Sequence, residues 1–253
     1  MPDRVPISNC IQPASTPAML GAALRDRLLP SSCTIGVEPL PSDSSGLTLR
    51  EMAAVHGAGQ KRRNEFAAGR VAAKRALAEL GIIGGEIPMG PDRAPQWPAG
   101  IAGSISHAGL LALAVVARAS DIGAIGVDIE EGGVVGPEHS PMIFVPAEVS
   151  WLRTFSYHER REWSTVIFSA KEAFYKFQYT YSRGWLDFHD VAIRIESPHT
   201  FIATVLTPRH PKVTGEFQGM FQCLPSLTVT AIFAENSPSE TRRLESVAHR
   251  DSS

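Results

Sequence analysis

Gly126-Val127-Asp128-Ile129-Glu130 and Phe168-Ser169-Ala170-Lys171-Glu172-Ala173-Phe174-Tyr175-Lys176 are the two stretches on which the reading of this chain turns. Each sets carboxylates among apolar residues, where an unpaired charge is costly. As a strand, residues 124–130 alternate, so Ile125, Val127 and Ile129 face one way while Gly126, Asp128 and Glu130 face the other. Two acids then share one face. A hard divalent cation such as Mg²⁺ takes oxygen ligands, and two or three carboxylates with the oxygens of a phosphorylated ligand suit it. Taken alone, the commoner outcome for five such residues is an exposed strand end with two solvated acids. The second stretch reads as a helix over 161–179, at about 100° per residue. Glu172 and Lys176 fall one turn apart, on the side that carries Phe168, Tyr175 and Tyr179. The plain alternative is an i,i+4 pair on an exposed helix, worth about 0.2–0.5 kcal/mol. Lys171, about 100° away, reads as a solvated residue.

Outward from these blocks, residues 60–80 predict the clearest helix, with Gly81 as its C-terminal cap. Phe66, Ala73, Leu77 and Leu80 form its apolar face. Arg62, Arg63 and Arg70 flank that face, whereas Lys61 and Arg75 point away. A guanidinium fork suits bidentate phosphate contact, and snorkelling over the core edge explains the same placement equally well. Residues 84–97 are rich in turn formers. Residues 104–107 lead into the apolar run 110–117, short enough to be a strand buried on both faces, with 124–130 as its neighbour. His107 sits at that strand's mouth, where a lone histidine is more often structural than functional.

Further strands are expected at 34–37, 191–195, 201–206 and 227–233, and a helix at 146–156. The Gly/Pro-rich residues 131–146 read as a loop or linker between a first half, 18–130, and a second, 147–234. The polar ends, 1–17 and 235–253, read as mobile tails. The class expected is mixed α/β with largely antiparallel sheets, that is α+β. At 253 residues with 43% apolar and 20% charged residues and a net charge of −2, the chain suits an ordinary globular protein. It carries no global pull toward nucleic acid or membrane. Cys10, Cys33 and Cys223 show no metal-binding spacing. The longest apolar run is far short of the roughly 20 residues that span a bilayer. With no export signal at the N-terminus, a cytoplasmic monomer with reduced thiols is the expectation.

Taken in order, the blocks Arg62-Arg63-Asn64-Glu65-Phe66 with Gly69-Arg70, Trp97-Pro98, Gly103-Ser104-Ile105-Ser106-His107, 126–130 and 168–176 resemble the 4'-phosphopantetheinyl transferase superfamily. Within it they resemble the surfactin-type branch and its enterobactin-synthetase component D-like group. The resemblance runs from about residue 47 to 206. It implies two similar halves related by pseudo-twofold symmetry, with coenzyme A in the cleft between them. It implies Mg²⁺ on Asp128, Glu130 and Glu172, and phosphate or adenosine contacts from Arg62, Arg70, Arg93, Ser106 and His107. Lys176 would meet the diphosphate, and Glu172 would be metal ligand, proton acceptor, or both. The implied reaction is attack of an apo carrier-protein serine on the β-phosphorus of coenzyme A, releasing adenosine 3',5'-bisphosphate. Siderophore, nonribosomal peptide, polyketide and fatty-acid pathways all use such carriers. Two other readings fit parts of the pattern: a non-catalytic coenzyme A-binding module, and a Mg²⁺-dependent phosphodiesterase.

Overall fold

The computed structural model describes residues 16–136, 139–208 and 213–236. Of the expected tails, residues 1–15 and 237–253 lie outside the described residues, as do 137 and 138 of the expected linker. Among the described residues six helices, α1 (Pro17–Leu28), α2 (Leu49–Ala53), α3 (Gln60–Glu79), α4 (Ser140–Ile143), α5 (Pro146–Leu152) and α6 (Tyr157–Ser182), accompany eight strands. The strands are β1 (Cys33–Pro39), β2 (Ile101–Ala108), β3 (Leu111–Arg118), β4 (Ile122–Glu131), β5 (Val191–Ser197), β6 (Thr200–Val205), β7 (Glu216–Cys223) and β8 (Leu227–Glu235). They form one sheet of order β1-β3-β2 and another of order β4-β8-β7-β6-β5. Every strand pairing is antiparallel.

α3 crosses the first sheet and α6 the second, and on each sheet the helix presses on a strand at a glycine. A Cβ on Gly36 of β1 would stand 2.0 Å from the Ala72 carbonyl oxygen, and one on Gly126 of β4 would stand 1.9 Å from that of Ala173. The alanines of α3 make this approach possible: Ala68, Ala72, Ala73 and Ala76 are all fully buried. The same device serves both sheets, and β4, expected to close the first half, belongs to the second sheet. Gly36→Ala forces helix and strand apart and is expected to cost about 1–3 kcal/mol. A urea unfolding free energy within about 0.5 kcal/mol of wild type would show that the contact relaxes freely.

The opposite faces of the two sheets share one apolar layer. Ile35, Leu113 and Val115 from the first sheet and Ile125, Val127, Ile129 and Val229 from the second join Leu20, Leu24 and Leu28 of α1. Thus α1 packs over both sheets. Thr16 accepts a hydrogen bond from the Met19 amide as its N-cap, and Pro17 takes a first-turn position, where its missing N–H costs nothing. At the other end Glu235 closes β8, paired with Ile122.

Several expectations are refined by this topology. The segment leading into the apolar run is itself a strand, β2, and Leu110 is exposed in the hairpin turn rather than in β3. β4 is not hydrogen-bonded in the ladder of β3; its partner is β8, and β4 meets the first sheet by packing against β2. There Ser104 Oγ accepts from the Val127 amide at 3.1 Å. The expected linker carries α4, and β7 and α1 are additional elements.

Candidate active site

The period of β4 directs Asp128 and Glu130 toward α6, while Ile125, Val127 and Ile129 enter the shared apolar layer. Asp128 is only 3% exposed. Its Oδ1 accepts from Lys176 Nζ at 2.7 Å and from Ser106 Oγ at 2.7 Å, and its Oδ2 accepts from Ser169 Oγ at 2.9 Å. Lys176 Nζ also donates to Ser106 Oγ at 2.9 Å and to the Val127 carbonyl at 3.1 Å. Lys176, Asp128 and Ser106, from α6, β4 and β2, therefore form one network across the seam between the sheets.

One ammonium does not neutralise three carboxylates. Burial, then the neighbouring charges of Asp128 and Glu172, push Glu130 up to about 8 against the pull of Lys176. Burial and Asp128 likewise raise Glu172. Such oxygen-only donors, reluctant to ionise together, suit a hard divalent cation. Among the described residues no three carboxylate, histidine or cysteine side chains stand together in a geometry that would hold one ion, so the fit is one of donor chemistry. A stability signature follows. Between an ordinary 4.5 and about 8, folded Glu130 keeps a proton that the unfolded chain has released. Relative to Glu130→Gln, the metal-free wild type is expected to lose stability as pH rises through that window; a urea midpoint that instead climbs would contradict the assignment.

The basic residues divide into four places. Arg62 Nη1 lies 3.4 Å from His107 Nε2, and both approach the Glu65 carboxylate, at 3.6 and 3.7 Å. Burial lowers the His107 pKa, Glu65 opposes this, and Arg62 and Lys176 reinforce it. Arg70 is buried deeper: its Nε donates to the Ile87 carbonyl at 2.5 Å and its guanidinium lies 4.3 Å from the Phe66 ring centre. Desolvation there brings its pKa down to about 10. Arg63 turns instead to the Ala58 carbonyl and Gln60. Arg93 holds a left-handed backbone, φ 68°, in the turn expected near it.

Two cavities flank the acidic cluster. The larger, about 650 Å³, is lined by Arg93, Trp97, Ser104, Tyr175, Lys176 and Tyr179 among others. The smaller, about 180 Å³, is mainly apolar and lined by Glu172, Tyr175, Trp185, Leu186 and Phe188, with Lys171 also at its wall. Lys171 is not solvated as its helical angle suggested: it is 3% exposed and pairs with Glu148 at 2.8 Å. Sequence reasoning also passed over the role of Ser169, although it stands inside the quoted block. A hydroxyl on the inward side of an apolar helix face was the available signal.

Comparison with known proteins bears on this geometry. A family model described as the 4'-phosphopantetheinyl transferase N-terminal domain matches residues 50–117, and one for the 4'-phosphopantetheinyl transferase superfamily matches residues 124–218. The break between them falls between β3 and β4. The chain is 36% identical over 201 residues to 4'-phosphopantetheinyl transferase Svp of Streptomyces mobaraensis, covering 76% of this chain and 80% of that one. It is 32% identical over 207 residues to 4'-phosphopantetheinyl transferase PptT of Mycobacterium tuberculosis, covering 78% and 86%. Enterobactin synthase component D of Escherichia coli O157:H7 is 39% identical over 158 residues, covering 58% and 69%.

Proposed function

The chain belongs to the 4'-phosphopantetheinyl transferase superfamily, and on that premise we propose how it moves phosphopantetheine from coenzyme A to a carrier-protein serine. The observation that carries the proposal is the Asp128–Lys176–Ser106 network set between a cavity with cationic and aromatic walls and an apolar one. The nucleotide end of coenzyme A suits the larger cavity, where Trp97 and Tyr179 offer flat faces and Arg93 offers charge. Arg62 and His107 hold phosphate at the end of α3, with Arg70 fixed behind them. Lys176 and Ser106 meet the diphosphate. The uncharged pantetheine arm suits the apolar pocket beside Glu172.

Asp128, Glu130 and Glu172 would hold Mg²⁺, which when bound supplies charge neutralisation at the diphosphate. Glu172 is suited to take the proton of the attacking serine, because a carboxylate with a raised pKa is the better base near neutral pH. Serine oxygen then bonds to the β-phosphorus as the bond to the leaving phosphate breaks, and adenosine 3',5'-bisphosphate departs. The work is positioning and electrostatics, as phosphoryl transfer requires. The protein acts as a cytoplasmic monomer on carriers of siderophore, nonribosomal peptide, polyketide or fatty-acid synthesis; no described helix is long and apolar enough to cross a membrane.

The test is incubation with coenzyme A, Mg²⁺ and a panel of apo carrier proteins, read by intact mass. The expected result is one phosphopantetheine added to the serine of at least one carrier. Hydrolysis of coenzyme A without a carrier would favour a phosphodiesterase, and binding with neither outcome a non-catalytic module.

A further inference from the structure

Two hydroxyls behind Asp128 have no part in the reaction proposed above. Thr230 stands directly opposite Asp128 in the β4–β8 ladder, and Ser169 faces both from α6. Both are fully buried. Ser169 Oγ lies 2.9 Å from Asp128 Oδ2 and 2.9 Å from Thr230 Oγ1, and Thr230 Oγ1 donates to the Ser169 carbonyl at 2.9 Å. An ionised carboxylate can only accept, so the Ser169 proton belongs to Asp128. Thr230 spends its single proton on the Ser169 carbonyl, so it holds the stretch of α6 backbone from which the Ser169 hydroxyl reaches Oδ2.

Burying hydroxyls is unfavourable unless they are bonded, and Ala and Val would fill much the same space. What Ser169 and Thr230 contribute is therefore orientation. An ionised carboxylate has about four lone-pair sites. Lys176 and Ser106 take two on Oδ1, and Ser169 takes one on Oδ2. We infer that Ser169 and Thr230 are positioning residues that fix the plane of Asp128 so that Oδ2 keeps one lone pair for a hard divalent cation. The inference rests on the reading of Asp128 as a metal ligand and deepens it: the affinity of the site is set by a hydroxyl pair that never touches the ion.

Mn²⁺ titrated into the full chain with coenzyme A present, with free Mn²⁺ read by electron paramagnetic resonance, tests both levels separately. Wild type that binds no Mn²⁺ overturns the metal reading itself. With wild type binding, Ser169→Ala is expected to weaken Mn²⁺ about 10-fold, the lower end for loss of a partner behind a metal ligand. Thr230→Val is expected to weaken it by a smaller factor, and Thr230→Ser to match wild type. Because Thr230 acts through Ser169, the Ser169→Ala/Thr230→Val double variant should bind no worse than Ser169→Ala alone. Melting temperatures are measured alongside. A merely structural role would lower them and leave Mn²⁺ affinity unchanged; that result, or losses that multiply in the double variant, overturns the inference. If Ser169→Ala does not fold, Thr230→Val against Thr230→Ser carries the same comparison.

Discussion

Asp128→Ala is expected to lower transfer to carrier protein by at least about 10²–10³-fold, the loss typical of a group aimed at developing charge, and to weaken the fold as well. From sequence alone, removing one of three crowded acids would be expected to relieve repulsion and spare stability. The structure places a second effect against that one. Asp128 accepts from Lys176, Ser106 and Ser169, and alanine leaves these donors facing a gap. Each buried donor without a partner costs about 1–3 kcal/mol, and Lys176 retains its bond to the Val127 carbonyl. Relief at Glu130, whose pKa Asp128 raises, offsets part of the loss. A net destabilisation of about 1–3 kcal/mol is the expected balance. Asp128→Asn separates the two effects, because the amide keeps the shape and an acceptor but no charge. It should be as inactive as the alanine variant and nearly as stable as wild type. Near-full activity in Asp128→Asn would remove Asp128 from the proposed metal site.

What sequence made legible, and what it hid, divides along the range of the interactions. The alternation of β4 and the i,i+4 relation of Glu172 and Lys176 are local periodicities, and both persist in the fold. Ser106 reaches Asp128 only because β2 packs on β4 across two sheets, a contact no spacing encodes. α1 carried a readable signal, Leu20, Leu24 and Leu28 at helical spacing behind a Thr16–Pro17 start. β7 is harder to see, since Gly219 interrupts it; a Cβ there would stand 2.1 Å from the Phe201 ring, which fills that space. Arg70 lies where the helical wheel put it, beside the apolar face, but the packing carries it inward to Phe66 and Ile87. A wheel gives direction and says nothing of what covers that direction.

Lys171 is the sharpest case, and Lys171→Met is expected to be the most destabilising single change considered, at about 3–5 kcal/mol. The residue sits about 100° around α6 from Glu172, a direction that would be solvent on a helix covered from one side only. Here α4, α5 and the 3-10 turn Phe188–Asp190 cover that side. Lys171 Nζ donates to the carbonyls of Ile143 and Phe188 at 2.8 Å each and pairs with Glu148 Oε2 at 2.8 Å. Glu148 in turn accepts from the amides of Val145 at 2.8 Å and Ile193 at 2.7 Å. Burial pulls the Lys171 pKa down and the Glu148 pKa up, and each charge opposes the other's shift. Methionine matches the stem but leaves Glu148 a buried anion and two carbonyls without donors. Neutralising the partner too, in Lys171→Met/Glu148→Gln, removes the stranded charge while the amide oxygen still accepts from one backbone N–H. Stability should recover in part, because breaking a buried pair costs far more than replacing both members. Phe188 is a wall of the apolar pocket beside Glu172, so loss of its tether should also raise KM for coenzyme A below the melting temperature. Urea unfolding settles the first point: a loss under about 1 kcal/mol, the range of exposed pairs, would return Lys171 to solvent.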